Sequence, residues 1–131
     1  EYTIKYNSVS LPSIKGETDI ELLLEFQDNK WVLNRNLGTM YEQDSAGIEL
    51  DANVVEYLFR CLSDINVPIL LKGEWGCDGT MYTLQISHEF TSVTYGWWED
   101  VPLGLKPLEA IIANLFKYAE VDPHIPEDYD Q

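Results

Sequence analysis

The sequence predicts an α+β fold in which two helices pack on one face of a mainly antiparallel sheet. The first observation is a series of short segments in which apolar and polar residues alternate, as in half-buried strands. The second is a pair of apolar stripes at helical spacing. The third is size, because 131 residues with 45% hydrophobic content can form one core without a metal or a disulfide. We expect one domain over residues 1–119 and an acidic, poorly ordered tail over residues 120–131.

The first elements are predicted to be strands. Residues 2–11 alternate between apolar and polar side chains. The apolar runs 20–26 and 31–33 are separated by a polar segment with an Asp-Asn pair, which favours a hairpin. A helix over residues 18–28 is the alternative, because leucine and glutamate are good helix formers. Residues 38–47 are interpreted as an exposed loop.

A helix follows this loop. Asp51 is a plausible N-cap for a helix from Ala52 to about Ile65. One face of this helix is apolar and carries Val54, Val55, Leu58, Leu62 and Ile65. Cys61 lies beside that face, which indicates a packing role. After the helix, residues 69–71 are predicted to form a buried strand.

The second half of the chain is predicted to form a hairpin and another helix. Residues 81–87 alternate strictly, residues 87–90 are a turn region, and residues 93–98 alternate again. Pro107 suits the first position of the second helix, where its missing N–H costs nothing. The apolar stripe of this helix is Leu108, Ile111, Ile112, Leu115 and Ala119.

Net charge limits the classes of function. Lysine and arginine number 8 against 23 aspartates and glutamates, for a net charge of −15. This balance excludes an electrostatic nucleic-acid binder, which needs cations against phosphates, and disfavours docking on an anionic membrane. No apolar run approaches the ~20 residues of a membrane span. We therefore expect a cytoplasmic protein, although the start at Glu1 leaves a removed signal peptide open.

No pattern in the chain predicts catalytic, metal-binding or cofactor-binding chemistry, so we expect neither an enzyme nor a cofactor. The histidines fall in a predicted turn (His88) and in the tail (His124), where no rigid scaffold would hold a catalytic base. Cys77 has no cationic residue nearby in sequence to activate it. Two reduced thiols are expected, and a bridge between Cys61 and Cys77 is the alternative. Zinc-ligand, calcium-loop and phosphate-loop spacings are not found.

The acidic residues are unevenly distributed. Three stretches each contain five acids and no lysine or arginine: residues 36–59, residues 73–105 and the tail. One interpretation is that the charge keeps the protein dispersed. The other is a protein partner with a basic surface, since complementary charge steers association.

A segment in the second half of the chain carries a family resemblance. Residues 76–86, 92–98, Pro102 and 107–108 resemble small bacterial proteins, some of which lie beside polymorphic toxins and look like immunity proteins. Immunity proteins paired with contact-dependent growth-inhibition toxins are an example. The resemblance spans residues 73–119 and implies a cytosolic bacterial protein that binds one cognate toxin domain and blocks it.

We therefore predict an immunity-type protein that binds and inhibits a cognate basic toxin domain, with a nuclease as one candidate activity of the toxin. A non-enzymatic adaptor or accessory interaction domain is the alternative, and the oligomeric state stays open. Trp98 is followed by Glu99 and Asp100, and a half-exposed tryptophan beside acids would make an interface anchor. The predicted partner-binding residues are Glu42, Asp44, Glu74, Asp78, Trp98, Glu99 and Asp100.

Overall fold

In the part of the chain that the structure describes, six antiparallel strands form one sheet, and the first of these strands lies near its centre. The computed structural model describes residues 2–11, 19–38, 42–68 and 79–121. The strands are β1 (Tyr2–Leu11), β2 (Asp19–Gln27), β3 (Lys30–Gly38), β4 (Gln43–Leu50), β5 (Gly79–His88) and β6 (Thr91–Trp98). Their order across the sheet is β4-β3-β2-β1-β5-β6, so β4 and β6 form opposite edges.

Two helices complete the α+β fold predicted from the sequence. Helix α1 spans Ala52–Ser63 and follows β4, and helix α2 spans Glu109–Tyr118 and follows β6. Asp51 caps α1 as predicted, because its Oδ1 accepts a hydrogen bond of 2.8 Å from the Asn53 N–H. No helix in the described part of the chain is long and apolar enough to cross a membrane.

The predicted hairpin between β2 and β3 is confirmed, and the helix considered for residues 18–28 is wrong. Asp28 and Asn29 form a two-residue turn in which both have positive φ, 49° and 64°. A type I′ turn needs this backbone, and aspartate and asparagine accept it more readily than most residues. The strands therefore pair from the turn outwards, with Phe26 opposite Trp31.

The pairing register places the apolar residues of neighbouring strands on the same face. Ile4 lies opposite Leu24 on one side and opposite Ile86 on the other. Both helices pack on this face, which we call the helix-covered face, and their buried residues join one core cluster with the sheet. The opposite face, the open face, carries polar side chains such as Lys5 and Gln85.

Two local predictions differ from the structure. Most of the predicted loop over residues 38–47 belongs to β3 and β4, because β4 pairs with β3 through the main chain from Gly38↔Gln43 onwards. The second helix starts at Glu109 rather than Pro107, which lies in a 3₁₀ helix over Leu103–Leu108. Leu105 and Leu108, three residues apart, both reach the core from this tighter helix. The predicted strand over residues 69–71 and the tail from residue 122 lie outside the described residues.

Candidate functional site

The structure separates the predicted partner-binding residues into two groups at opposite edges of the sheet. Glu42 and Asp44 lie at the β4 edge, whereas Trp98, Glu99 and Asp100 lie at the end of β6. Five strand spacings separate these edges, or roughly 24 Å. The remaining two predicted residues, Glu74 and Asp78, lie outside the described residues. The two described groups therefore lie at opposite edges of the sheet.

Asp44 has a contact within the protein. Its Oδ2 lies 3.7 Å from Nη2 of Arg35, whose side chain is only 18% exposed. The Nη1 group of Arg35 also donates a hydrogen bond of 2.9 Å to the main-chain carbonyl of Ala119, at the end of α2. A cation is favourable there because helix carbonyls concentrate negative charge at a C-terminus. Arg35 thus connects the β4 edge to α2, and Asp44 supports that connection.

Glu99 and Asp100 lie beside a cleft on the helix-covered face, between the end of β6 and α2. The cleft has a volume of about 1000 Å³. Its floor is a continuous row of four aromatic rings, in the order Phe116, Tyr6, Tyr82 and Trp97. Successive ring centroids are 5.3, 6.5 and 5.9 Å apart. Trp98 points to the open face instead, since only alternate residues of β6 face the helices.

The rim of the cleft is rich in carboxylates. It carries four acids and two lysines: Glu99, Asp100, Glu109, Glu120, Lys106 and Lys117. Lys106 and Glu109 form an ion pair of 3.4 Å, and Nζ of Lys117 lies 5.5 Å from the ring centroid of Tyr118. Within the described residues, no cation lies within 4 Å of the carboxylates of Glu99, Asp100 or Glu120. The rim therefore combines an excess of negative charge with an aromatic floor.

Two of these rim acids adopt a backbone conformation that side chains other than glycine rarely take. Glu99 and Glu120 have φ values of 64° and 59°. At the end of α2, the Glu120 N–H donates to the Lys117 carbonyl and the Val121 N–H donates to the Phe116 carbonyl. This is the hydrogen-bond pattern of a Schellman motif, in which glycine usually occupies the position of Glu120. A carboxylate there is also unfavourable beside the negative end of the helix. Local stability therefore does not explain a glutamate at position 120.

Replacing Glu120 by glycine is expected to raise the free energy of unfolding by about 1 kcal/mol, because glycine adopts a left-handed φ without strain. The same change should weaken binding at the cleft, because it removes a rim carboxylate. Urea unfolding followed by tryptophan fluorescence measures the first effect. Glu120→Gln is the matched control, since it removes the charge and keeps the strain. A Glu120→Gly variant less stable than the parent would contradict this account.

Tyr6, in the cleft floor, is almost fully buried. Burial raises the pKa of its hydroxyl above the ordinary value, and the neighbouring Tyr82 raises it further, while a hydrogen bond with Ser8 acts in the opposite direction. The hydroxyl therefore stays neutral in the folded protein well into the alkaline range. The cleft floor is consequently uncharged and aromatic under physiological conditions.

Stability is expected to fall as the pH rises above 10, the ordinary pKa of tyrosine. Below that pH Tyr6 is neutral in both states, whereas above it the unfolded chain loses the proton and the folded protein does not. Tyr6 alone is expected to lower the free energy of unfolding by up to about 1.4 kcal/mol per pH unit in this range. The Tyr6→Phe variant should lose stability less steeply between pH 10 and about pH 11.5 in urea unfolding. Equal slopes in the two proteins would contradict the burial of the hydroxyl.

Among the described residues that line the cleft there is no cysteine or histidine. Cys61 is a free thiol packed beside the core, and His88 lies at the end of β5, 3.9 Å from Oε1 of Glu89. No group of three or more histidine, cysteine, aspartate or glutamate side chains among the residues described here could hold a metal ion. The aromatic floor and the rim carboxylates together could hold a cationic group against aromatic surface.

The sequence interpretation missed most of this site. Tyr6, Tyr82 and Phe116 come from three different elements, and Glu120 had been placed in the tail. The only linear signal was the excess of acids after β6. No protein-family model matches the chain, and a comparison with curated proteins finds no match.

Proposed function

We propose that this chain is an immunity-type protein that binds and inhibits a cognate basic toxin domain through the aromatic, acidic-rimmed cleft. The observation that carries the proposal is the combination of four contiguous aromatic rings with three rim carboxylates that no described cation neutralises. A lysine or arginine side chain of the toxin would meet the ring faces and edges together with negative charge. Such contacts strengthen when the cation is desolvated.

Charge outside the cleft supports the encounter between the two proteins. The net charge of −15 attracts a basic surface over distances comparable to the Debye length. The rim then selects the docking position, because that part of the described surface combines acids with a recess. Steering affects mainly the association rate, whereas contacts inside the cleft affect mainly the dissociation rate.

The aromatic floor also favours a second candidate function. Clefts of this volume bind small molecules, and several aromatic rings beside carboxylates suit a small organic cation such as a quaternary ammonium compound. The two candidates predict different ligands for the same residues. The adaptor alternative from the sequence interpretation has no comparable observation in its favour.

Co-expression with the toxin domain encoded by an adjacent gene tests the proposal. We expect this chain to restore growth of cells that produce the toxin and to form a one-to-one complex with it. The association rate should fall by at least about tenfold between roughly 50 and 500 mM NaCl. Absence of rescue, or an association rate independent of salt, would contradict the proposal. Absence of rescue combined with calorimetric binding of phenyltrimethylammonium would support the small-cation candidate.

A further inference from the structure

Strand β6 is an edge of the sheet that the described residues form. Within the described residues, no strand pairs with its outer side. Its eight residues include no charged residue and no proline, and its pairing with β5 runs without a bulge from Met81↔Trp98 to His88↔Thr91. Natural proteins usually protect edge strands with charged residues, prolines or bulges. The opposite edge strand, β4, carries Asp44 and Glu49.

One hydrogen bond shows which main-chain groups of β6 face away from β5 and can pair with a further strand. The Glu99 N–H donates to the Thr80 carbonyl across the β5–β6 pair, over 2.9 Å. Successive residues of a strand direct their N–H and C=O groups to opposite sides, so alternate residues of β6 face away from β5. Ser92, Thr94 and Gly96 therefore present donors and acceptors to an incoming strand.

Two recesses lie along this edge on the helix-covered face. The cleft reaches Trp97 near the end of β6. A smaller groove of about 220 Å³ lies beside Val93 and Tyr95, with Leu62 and Ile65 from the α1 side as its other wall. An added strand would direct alternate side chains, about 7 Å apart, towards that face. Its apolar side chains could therefore enter the groove and the cleft.

Carboxylates are found at both ends of β6. Glu89 lies in the turn before it, and Glu99 and Asp100 follow it. A strand of eight residues spans about 27 Å. An incoming segment of this length with a lysine or arginine at each end would match this charge distribution.

From this edge we infer that an extended basic segment of the partner, roughly eight residues long, adds to β6 as a seventh strand of the sheet. The inference rests on the proposed function, because the partner is taken to be a basic protein. Main-chain hydrogen bonds to Ser92, Thr94 and Gly96 hold the segment. Its alternate apolar side chains occupy the groove and the cleft and provide specificity.

A synthetic peptide tests the pairing directly. The probe is the acetylated and amidated octapeptide Lys-Val-Thr-Leu-Thr-Phe-Thr-Lys, with two analogues methylated on alternate sets of main-chain nitrogens. We expect the parent peptide to slow hydrogen exchange of the Ser92, Thr94 and Gly96 amides by at least about tenfold. One methylated analogue should lose binding and the other should retain it, because only one set of N–H groups faces β6. Absence of binding by the parent peptide, or equal binding by all three peptides, would overturn the inference.

A pair of variants at Thr94 tests the same edge in the complex with the toxin domain. Thr94→Pro removes an outward N–H, and proline is tolerated on the outer side of an edge strand. We expect Thr94→Pro to weaken binding of peptide and toxin by at least about tenfold, and Thr94→Val, which keeps the N–H, to have little effect. Thermal unfolding of both variants verifies that they are folded. Unchanged toxin affinity in a folded Thr94→Pro variant would overturn the inference and leave the proposed function standing. Peptide pairing with β6 without toxin binding would contradict the proposed function alone.

Discussion

Reversing both charges at the end of β6, in the double variant Glu99→Lys with Asp100→Lys, is expected to weaken binding of the proposed toxin domain by about 100- to 1000-fold. The variant removes two carboxylates from the cleft rim and places two cations against a cationic partner. Like charges brought together at an interface cost several kcal/mol, and each 1.4 kcal/mol corresponds to tenfold in affinity. The loss should be largest in the dissociation rate, measured by surface plasmon resonance at about 150 mM NaCl.

The matched control changes the same number of charges at the opposite edge. Glu42→Lys with Glu49→Lys also replaces two acids by two lysines, but beside and within β4, at the edge of the sheet opposite β6. We expect this variant to slow association several-fold, because it lowers the net negative charge, and to leave dissociation unchanged. Equal loss of affinity in the two double variants would show that the cleft has no special role. It would also favour a contact surface that includes the β4 edge.

Leu115→Ala is expected to lower the free energy of unfolding by about 3 to 4 kcal/mol. Leu115 is fully buried in the core between α2 and the sheet. Truncating a buried leucine removes apolar contacts and leaves a cavity that the surroundings fill only in part. That loss is a large fraction of the 5–15 kcal/mol of total stability typical of a single domain. Because α2 forms one wall of the cleft, binding should weaken along with stability.

Leu103→Ala is the control for this prediction. It makes the same chemical change in a side chain that is 86% exposed, so we expect an effect within about 0.5 kcal/mol. Guanidinium chloride unfolding monitored by tryptophan fluorescence measures both variants. A Leu115→Ala variant within about 1 kcal/mol of the parent would contradict the packing of α2 on the sheet.

The elements predicted correctly are those with strong local patterns. Alternating side chains identified β1, β5 and β6, because a strand with one buried face must repeat every two residues. Two apolar runs on either side of an Asp-Asn pair identified the hairpin of β2 and β3. Apolar stripes identified both helices, and Asp51 identified the start of α1. Strand β4 was missed because its residues Gln43 to Gly47 have little preference for strands, and its pairing depends on main-chain groups of β3.

The candidate site was predicted only in part. Glu99 and Asp100 were selected from the sequence and do lie on the cleft rim. Trp98 was selected with them, but strand alternation places Trp97, not Trp98, in the cleft floor. Glu120 could not be selected, because its left-handed backbone and its place beside the cleft depend on how α2 ends.

Composition and local repeats in the amino-acid sequence are sufficient to predict the fold class, most of the helices and strands, and the large excess of negative charge. The tertiary structure alone decided which acids share a surface and which aromatic rings meet. Strand order and helix packing bring Tyr6, Tyr82, Trp97 and Phe116 together from four elements, and contacts between residues so far apart in the chain follow no local periodicity.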